Sequence, residues 1–98
     1  MYARVVRAQV PPENFDQALA GAKERNVPMV KQFPGFKAGY WCVDRDAGII
    51  TTCVLFEGEE GIRAAEEGGM EQMRPMIESL GVHLLSVENL EVVFSEPA

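Results

Sequence analysis

His83 is the chain's one histidine, the side-chain type best suited to exchange protons near neutrality, which makes it the candidate general base. Set against a phenol, it would take the hydroxyl proton and leave an electron-rich anion able to react with oxygen. Trp41, the sole tryptophan, follows Tyr40 in an aromatic run and offers a flat ring for stacking on a flat substrate. Arg7 lies inside a β-branched run, where a charge needs a partner. Its functional reading is an oxyanion contact; its structural reading is an ion pair with Glu88, Glu91 or Asp44. Gln9, Asn14 and Asn26 can hydrogen-bond a substrate oxygen, although a helix cap and a kink explain the two asparagines equally well. Met73, with Met70 and Met76, and Phe56 can line an adaptable apolar pocket or pack as ordinary core. Trp41 as a core filler and His83 as a surface histidine are the corresponding structural readings.

Other chemistry finds little support. No Ser–His–Asp arrangement, phosphate-binding glycine loop or paired-carboxylate motif stands out, and two cysteines with one histidine give no metal-ligand spacing. The expected site therefore holds no metal and no cofactor. Cys42 and Cys53 fall on opposite arms of a hairpin, diagonal or on opposite faces, and read as free thiols.

The elements that must position these residues follow from punctuation and periodicity. Residues 2–10 form a strand with Val6, Ala8 and Val10 on one face and Val5, Arg7 and Gln9 on the other, ended by Pro11 and Pro12. A helix follows, opened by Pro12 or capped by Asn14, with Phe15, Ala18, Leu19, Ala22, Val30 and Phe33 as its buried stripe and a junction expected near Asn26–Pro28. Phe33-Pro34-Gly35 releases the chain into a hairpin that turns over Asp44–Gly48. Phe36, Ala38, Tyr40 and Cys42 alternate with Lys37, Gly39, Trp41 and Val43. An acidic helix start after Glu57 should stop at Gly68-Gly69. A second piece from Met70 to Leu80 should break at Pro75 and close at Gly81. The last strand occupies residues 82–94, with a phase change near Glu88-Asn89, and 95–98 form a tail. The order is βαββαβ: a ferredoxin-like α+β fold in one domain over residues 1–98, its four-stranded antiparallel sheet covered by helices on one face.

Composition narrows the partners. The net charge of −6 disfavours nucleic acid and anionic membranes. No apolar run reaches the roughly 18 residues of a spanning helix, and the start lacks a signal-peptide pattern, so the expected location is the cytoplasm. Two helices cover one sheet face only, and both faces of the hairpin are apolar. The exposed side should bury itself against a second copy, giving a sheet-to-sheet homodimer.

Three stretches carry a resemblance: Val10-Pro11-Pro12-Glu13-Asn14-Phe15, Phe33-Pro34-Gly35-Phe36 and Val54-Leu55-Phe56-Glu57. With them the whole chain resembles the dimeric α/β-barrel superfamily, and within it the antibiotic-biosynthesis-monooxygenase-like domains. That resemblance implies a cofactor-independent oxygenase acting on a small phenolic or quinol-type metabolite, with a pocket between sheet and helices or inside the dimer barrel. The haem-degrading branch, marked by an Asn on the first strand and a Trp and a His on the second helix, does not fit. The first strand has no Asn, and residues 57–81 contain neither Trp nor His. The alternative is a non-catalytic dimer of the same fold that binds a small ligand or a partner protein.

Overall fold

The computed structural model describes residues 1–97; Ala98, the end of the expected tail, lies outside them. Strands β1 (Tyr2–Gln9), β2 (Phe36–Asp44), β3 (Ile49–Phe56) and β4 (His83–Glu91) form one sheet in the order β2-β3-β1-β4, each neighbouring pair antiparallel. A helix connects β1 to β2 and another connects β3 to β4. Because right-twisted strands accept right-handed crossovers, both helices land on the same face.

The first helix opens with Pro12, whose missing N–H would be unpaired there in any case, in a short 3-10 turn over Pro12–Asn14. Asn14 does not cap its own helix. Its Nδ2 donates to the Leu80 carbonyl at 2.9 Å and ties the start of the first helix to the end of the second. Asn14→Ala is expected to cost about 0.5–1.5 kcal/mol, read as a lower urea midpoint at unchanged slope. The junction before Pro28 is a π turn, Ala22–Asn26, which joins Phe15–Gly21 to Val27–Lys31.

The second helix corrects the expected breaks. It runs through Glu59–Ala64, a π turn at Ala65–Gly69, and Met70–Leu80 without stopping. The widened turn absorbs Gly68 and Gly69. Pro75 sits on the exposed flank, where water can satisfy the carbonyl it frees. Gly81, at φ 67°, then ends the helix, with Val82 N–H donating to Ile77 O at 3.0 Å.

Two bulges set the phase of the sheet. The β1–β4 register shifts so that Leu85 is the extra residue, not Glu88 or Asn89 as the sequence pattern implies. In β2 the shift falls at Lys37 and returns Phe36 to the face that carries Gly39 and Trp41. Facing the helices are four rows: Phe36-Phe56-Tyr2-Glu91, Gly39-Val54-Arg4-Asn89, Trp41-Thr52-Val6-Val87 and Val43-Ile50-Ala8-Leu84. The core packs in two clusters on this face, one around Val10, Phe15, Ile50 and Leu80, the other around Val30, Val54, Phe56 and Ile62. No helix among the described residues is long and apolar enough to cross a membrane.

Candidate active site: an apolar cavity between sheet and helices

A half-open cavity of about 140 Å³ touches both core clusters and separates the sheet from the helices. The side chains over it are short where they could have filled it: Ala18 and Ala22 from the first helix, Ala65 and Gly69 from the second. Both π turns contribute to this roof, through Asn26 and Ala65. A π turn widens a helix and offsets the residues after it, and such turns recur at functional sites.

Trp41 forms one wall, and its orientation is doubly determined. Its Nε1–H donates to Asn26 Oδ1 at 2.9 Å, so the π turn holds the indole from above. Beneath it lies Gly39, where a Cβ would come within 2.7 Å of the indole Cη2 and Cζ3 atoms. The ring can fold over the backbone at residue 39 only because no side chain stands there. Phe56, fully buried, and Met73 add to the apolar lining.

The opposite wall contains a charge. Arg4 lines the cavity with 8% of its surface exposed. Its Nη1 donates to Asn89 Oδ1 at 2.9 Å, Asn89 Nδ2 donates to Glu66 Oε1 at 2.7 Å, and the Glu66 carboxylate lies 4.0 Å from Arg4 Nη1. Burial lowers the Arg4 guanidinium from its ordinary pKa, and Glu66 draws it back upward.

The residues suggested by sequence divide between two surfaces. Asn26, Trp41, Phe56 and Met73 meet in the cavity. Arg7 and Tyr40 lie on the opposite, open face of the sheet, Tyr40 with 57% of its surface exposed. No ion pair joins Arg7 to Glu88, Glu91 or Asp44 among the described residues. His83 and Gln9 pair across β4 and β1 and border a separate surface cleft with Pro11, Phe15 and Arg45. Asn14 is engaged by Leu80. Sequence reasoning passed over Arg4, although strand parity places it on the face of Val6, Ala8 and Val10.

No family model matches the sequence, and no curated protein matches it. Solved structures do. A candidate antibiotic biosynthesis monooxygenase from Deinococcus radiodurans superposes at TM-score 0.80 with 13% identity, over 100% of this chain and 98% of that one. SnoaB, a cofactor-independent oxygenase from Streptomyces nogalater, superposes at 0.72 with 17% identity, over 99% and 97%. A dimeric ferredoxin-like protein from an uncultured marine organism reaches 0.75 with 8% identity, over the full length of both chains.

The chain has the ferredoxin-like fold that these structures share. Within this fold, the cavity's walls are set by this chain's own Trp41, Asn26, Gly39 and Arg4. The cysteines stand apart from it. Cys53 opposes Tyr40 and Cys42 opposes Thr51, so the two thiols are diagonal on the open face and both are free. Burial, and secondarily Cys42, raises the Cys53 thiol above its ordinary pKa.

Proposed function

We propose that the protein is a cofactor-independent monooxygenase acting on a small phenol- or quinol-type ring, and that it works as a homodimer. The observation that carries this reading is the cavity itself: apolar, about 140 Å³, and walled by an indole held in one orientation. An apolar void of about 150 Å³ accepts benzene, so the space suits one ring better than a fused polycycle. Trp41 supplies an aromatic ring for stacking, and the surrounding Phe33, Phe56 and Met73 keep the lining apolar. The fold shared with SnoaB, itself a cofactor-independent oxygenase, supports the same chemistry.

The reaction needs no electron source or oxidant beyond substrate and oxygen. A phenol bound as its anion is electron-rich; oxygen adds at the para ring carbon where that carbon carries hydrogen, the proton the phenol gave up returns to the peroxide, and loss of water leaves the quinone. Phenol plus O₂ becomes quinone plus water, with oxygen reduced and the ring oxidised. Holding the ring against Trp41 serves the addition by restricting its orientation.

The dimer reading rests on the open sheet face. One row across it, Ala38-Leu55-Ala3-Leu90, is wholly apolar, and Tyr40, Cys53 and Val5 continue the patch in the next row. A monomer rarely leaves such a surface to solvent. The marine ferredoxin-like structure, described as dimeric, gives the precedent for a second copy as the occupant.

A second reading, a non-catalytic ligand-binding dimer, has one observation in its favour. Among the described residues, the cavity lining contains no His, Asp, Glu, Lys or Cys to serve as a base. Oxygen consumption with single-ring phenols that carry hydrogen at the para carbon separates the two. Catalysis predicts quinone formation matched to oxygen uptake, reduced at least tenfold in Trp41→Ala. Calorimetric binding without uptake would establish the binder instead. His83→Ala, measured alongside, decides whether the histidine outside the cavity takes part.

A further inference from the structure

We infer that Arg4 is the receptor for an ionised oxygen on the ligand, so that the cavity selects a single aromatic ring bearing one oxyanion, a carboxylate or an acidic phenol. The inference rests on the cavity being a ligand site, as proposed above, and adds the chemical class of the ligand.

Three observations carry it. The first is an imbalance of charge. A buried cation normally has a counter-ion in direct contact, because leaving water is costly for a charge. Arg4 is buried, yet its nearest carboxylate, Glu66, lies 4.0 Å away with half of its side chain exposed, and a neutral amide stands between them. The guanidinium is therefore under-compensated at the cavity wall.

The second is unused donor capacity. A guanidinium carries five N–H groups, and the bond from Nη1 to Asn89 is the one side-chain hydrogen bond Arg4 makes among the described residues. None of its nitrogens is sealed away without a partner, so the remaining donors open on accessible space, and Arg4 lines the cavity. The planar fork suits two oxygens of a carboxylate, or one phenolate oxygen.

The third is position. Arg4, Val54 and Gly39 occupy one row across β1, β3 and β2, and the Trp41 indole lies over Gly39. Two strand spacings put the Arg4 and Gly39 Cα atoms roughly 10 Å apart. A ring resting beside the indole above Val54 thus has its substituent directed along the row to Arg4. The polar end and the stacking end of the site are built into the same line of the sheet.

Asn89 holds the guanidinium in place, and Glu66 is the group a ligand anion competes with. Removing Glu66's charge should tighten anion binding, which no structural role of Arg4 alone would produce.

The test is calorimetry on the whole protein with benzoate, 4-nitrophenol near neutral pH and neutral benzyl alcohol. Wild type is expected to bind benzoate or 4-nitrophenol at least tenfold more tightly than benzyl alcohol, and which of the two is preferred distinguishes carboxylate from phenolate as the natural head group. Arg4→Met, which keeps the bulk and removes the charge, is expected to abolish the preference while benzyl alcohol still binds. Glu66→Gln should strengthen benzoate binding about threefold without affecting the alcohol. Equal affinities in wild type, or a preference that survives Arg4→Met, overturn the role of Arg4 and leave the cavity reading standing. If none of the three rings binds, both fall. Should Arg4→Met fail to fold, the wild-type comparison and the exposed Glu66→Gln variant still decide the matter.

Discussion

A Tyr40→Glu, Leu90→Glu double variant is expected to sediment as a single folded chain of 10.8 kDa, where the proposed parent dimer should sediment as two. Both positions lie on the open sheet face, Tyr40 57% and Leu90 46% exposed, so a monomer can carry the new carboxylates in water without strain. A sheet-to-sheet dimer cannot. Burying an uncompensated charge costs roughly 3 kcal/mol or more, and a twofold pair would bury four of them, about 12 kcal/mol in all. That exceeds the roughly 8 kcal/mol that holds a dimer with a micromolar dissociation constant. The starting charge of −6 per chain adds repulsion between the copies. Sedimentation velocity with circular dichroism reads both mass and folding. A double variant that keeps the parent's mass would exclude this face as the interface.

The second large effect is on stability. Phe56→Ala should lower the free energy of unfolding by about 3–5 kcal/mol, against a total of roughly 5–15 kcal/mol for a domain of this kind. Phe56 has no exposed surface, packs in the Val30, Val54 and Ile62 cluster, and meets Phe33 with ring centroids 6.4 Å apart. It also lines the cavity, so truncation merges the lost volume with space already empty and leaves little for the neighbours to collapse upon. Urea unfolding provides the measure. A loss below about 1 kcal/mol would mean that the cavity closes when Phe56 is shortened.

Legibility in the sequence followed the range of the interactions involved. Pro11-Pro12 ends β1, Phe33-Pro34-Gly35 ends the first helix and Gly81 ends the second, because each acts through its own φ or its own missing N–H. Gly68-Gly69 and Pro75 carry the same local signals, yet the second helix passes through them. There a π turn and a solvated flank supply what the local rule assumes is missing. The bulge at Lys37 was invisible for a related reason: it exists to match β2 to β3, and nothing in residues 36–44 alone records that pairing.

The site divides in the same way. Trp41 and Asn26 attract notice by residue type, but 15 positions separate them and only the folded π turn joins them. Arg4 and Asn89 stand 85 positions apart. Arg7 drew attention as the charge inside the strand, while Arg4, near its start, is the one that faces the cavity.

Alternation, helix spacing and stop residues in the chain were sufficient to establish the βαββαβ order, the single covered face and the apolar character of the other. These are properties of short segments, and short segments encode them. Which charged residue became the cavity's cation, which asparagine oriented the indole and where the strands slipped by one residue were decided only by packing. Sheet parity assigns side chains to two faces, but it is the docking of the helices that makes one face the interior, and a single bulge reverses the assignment.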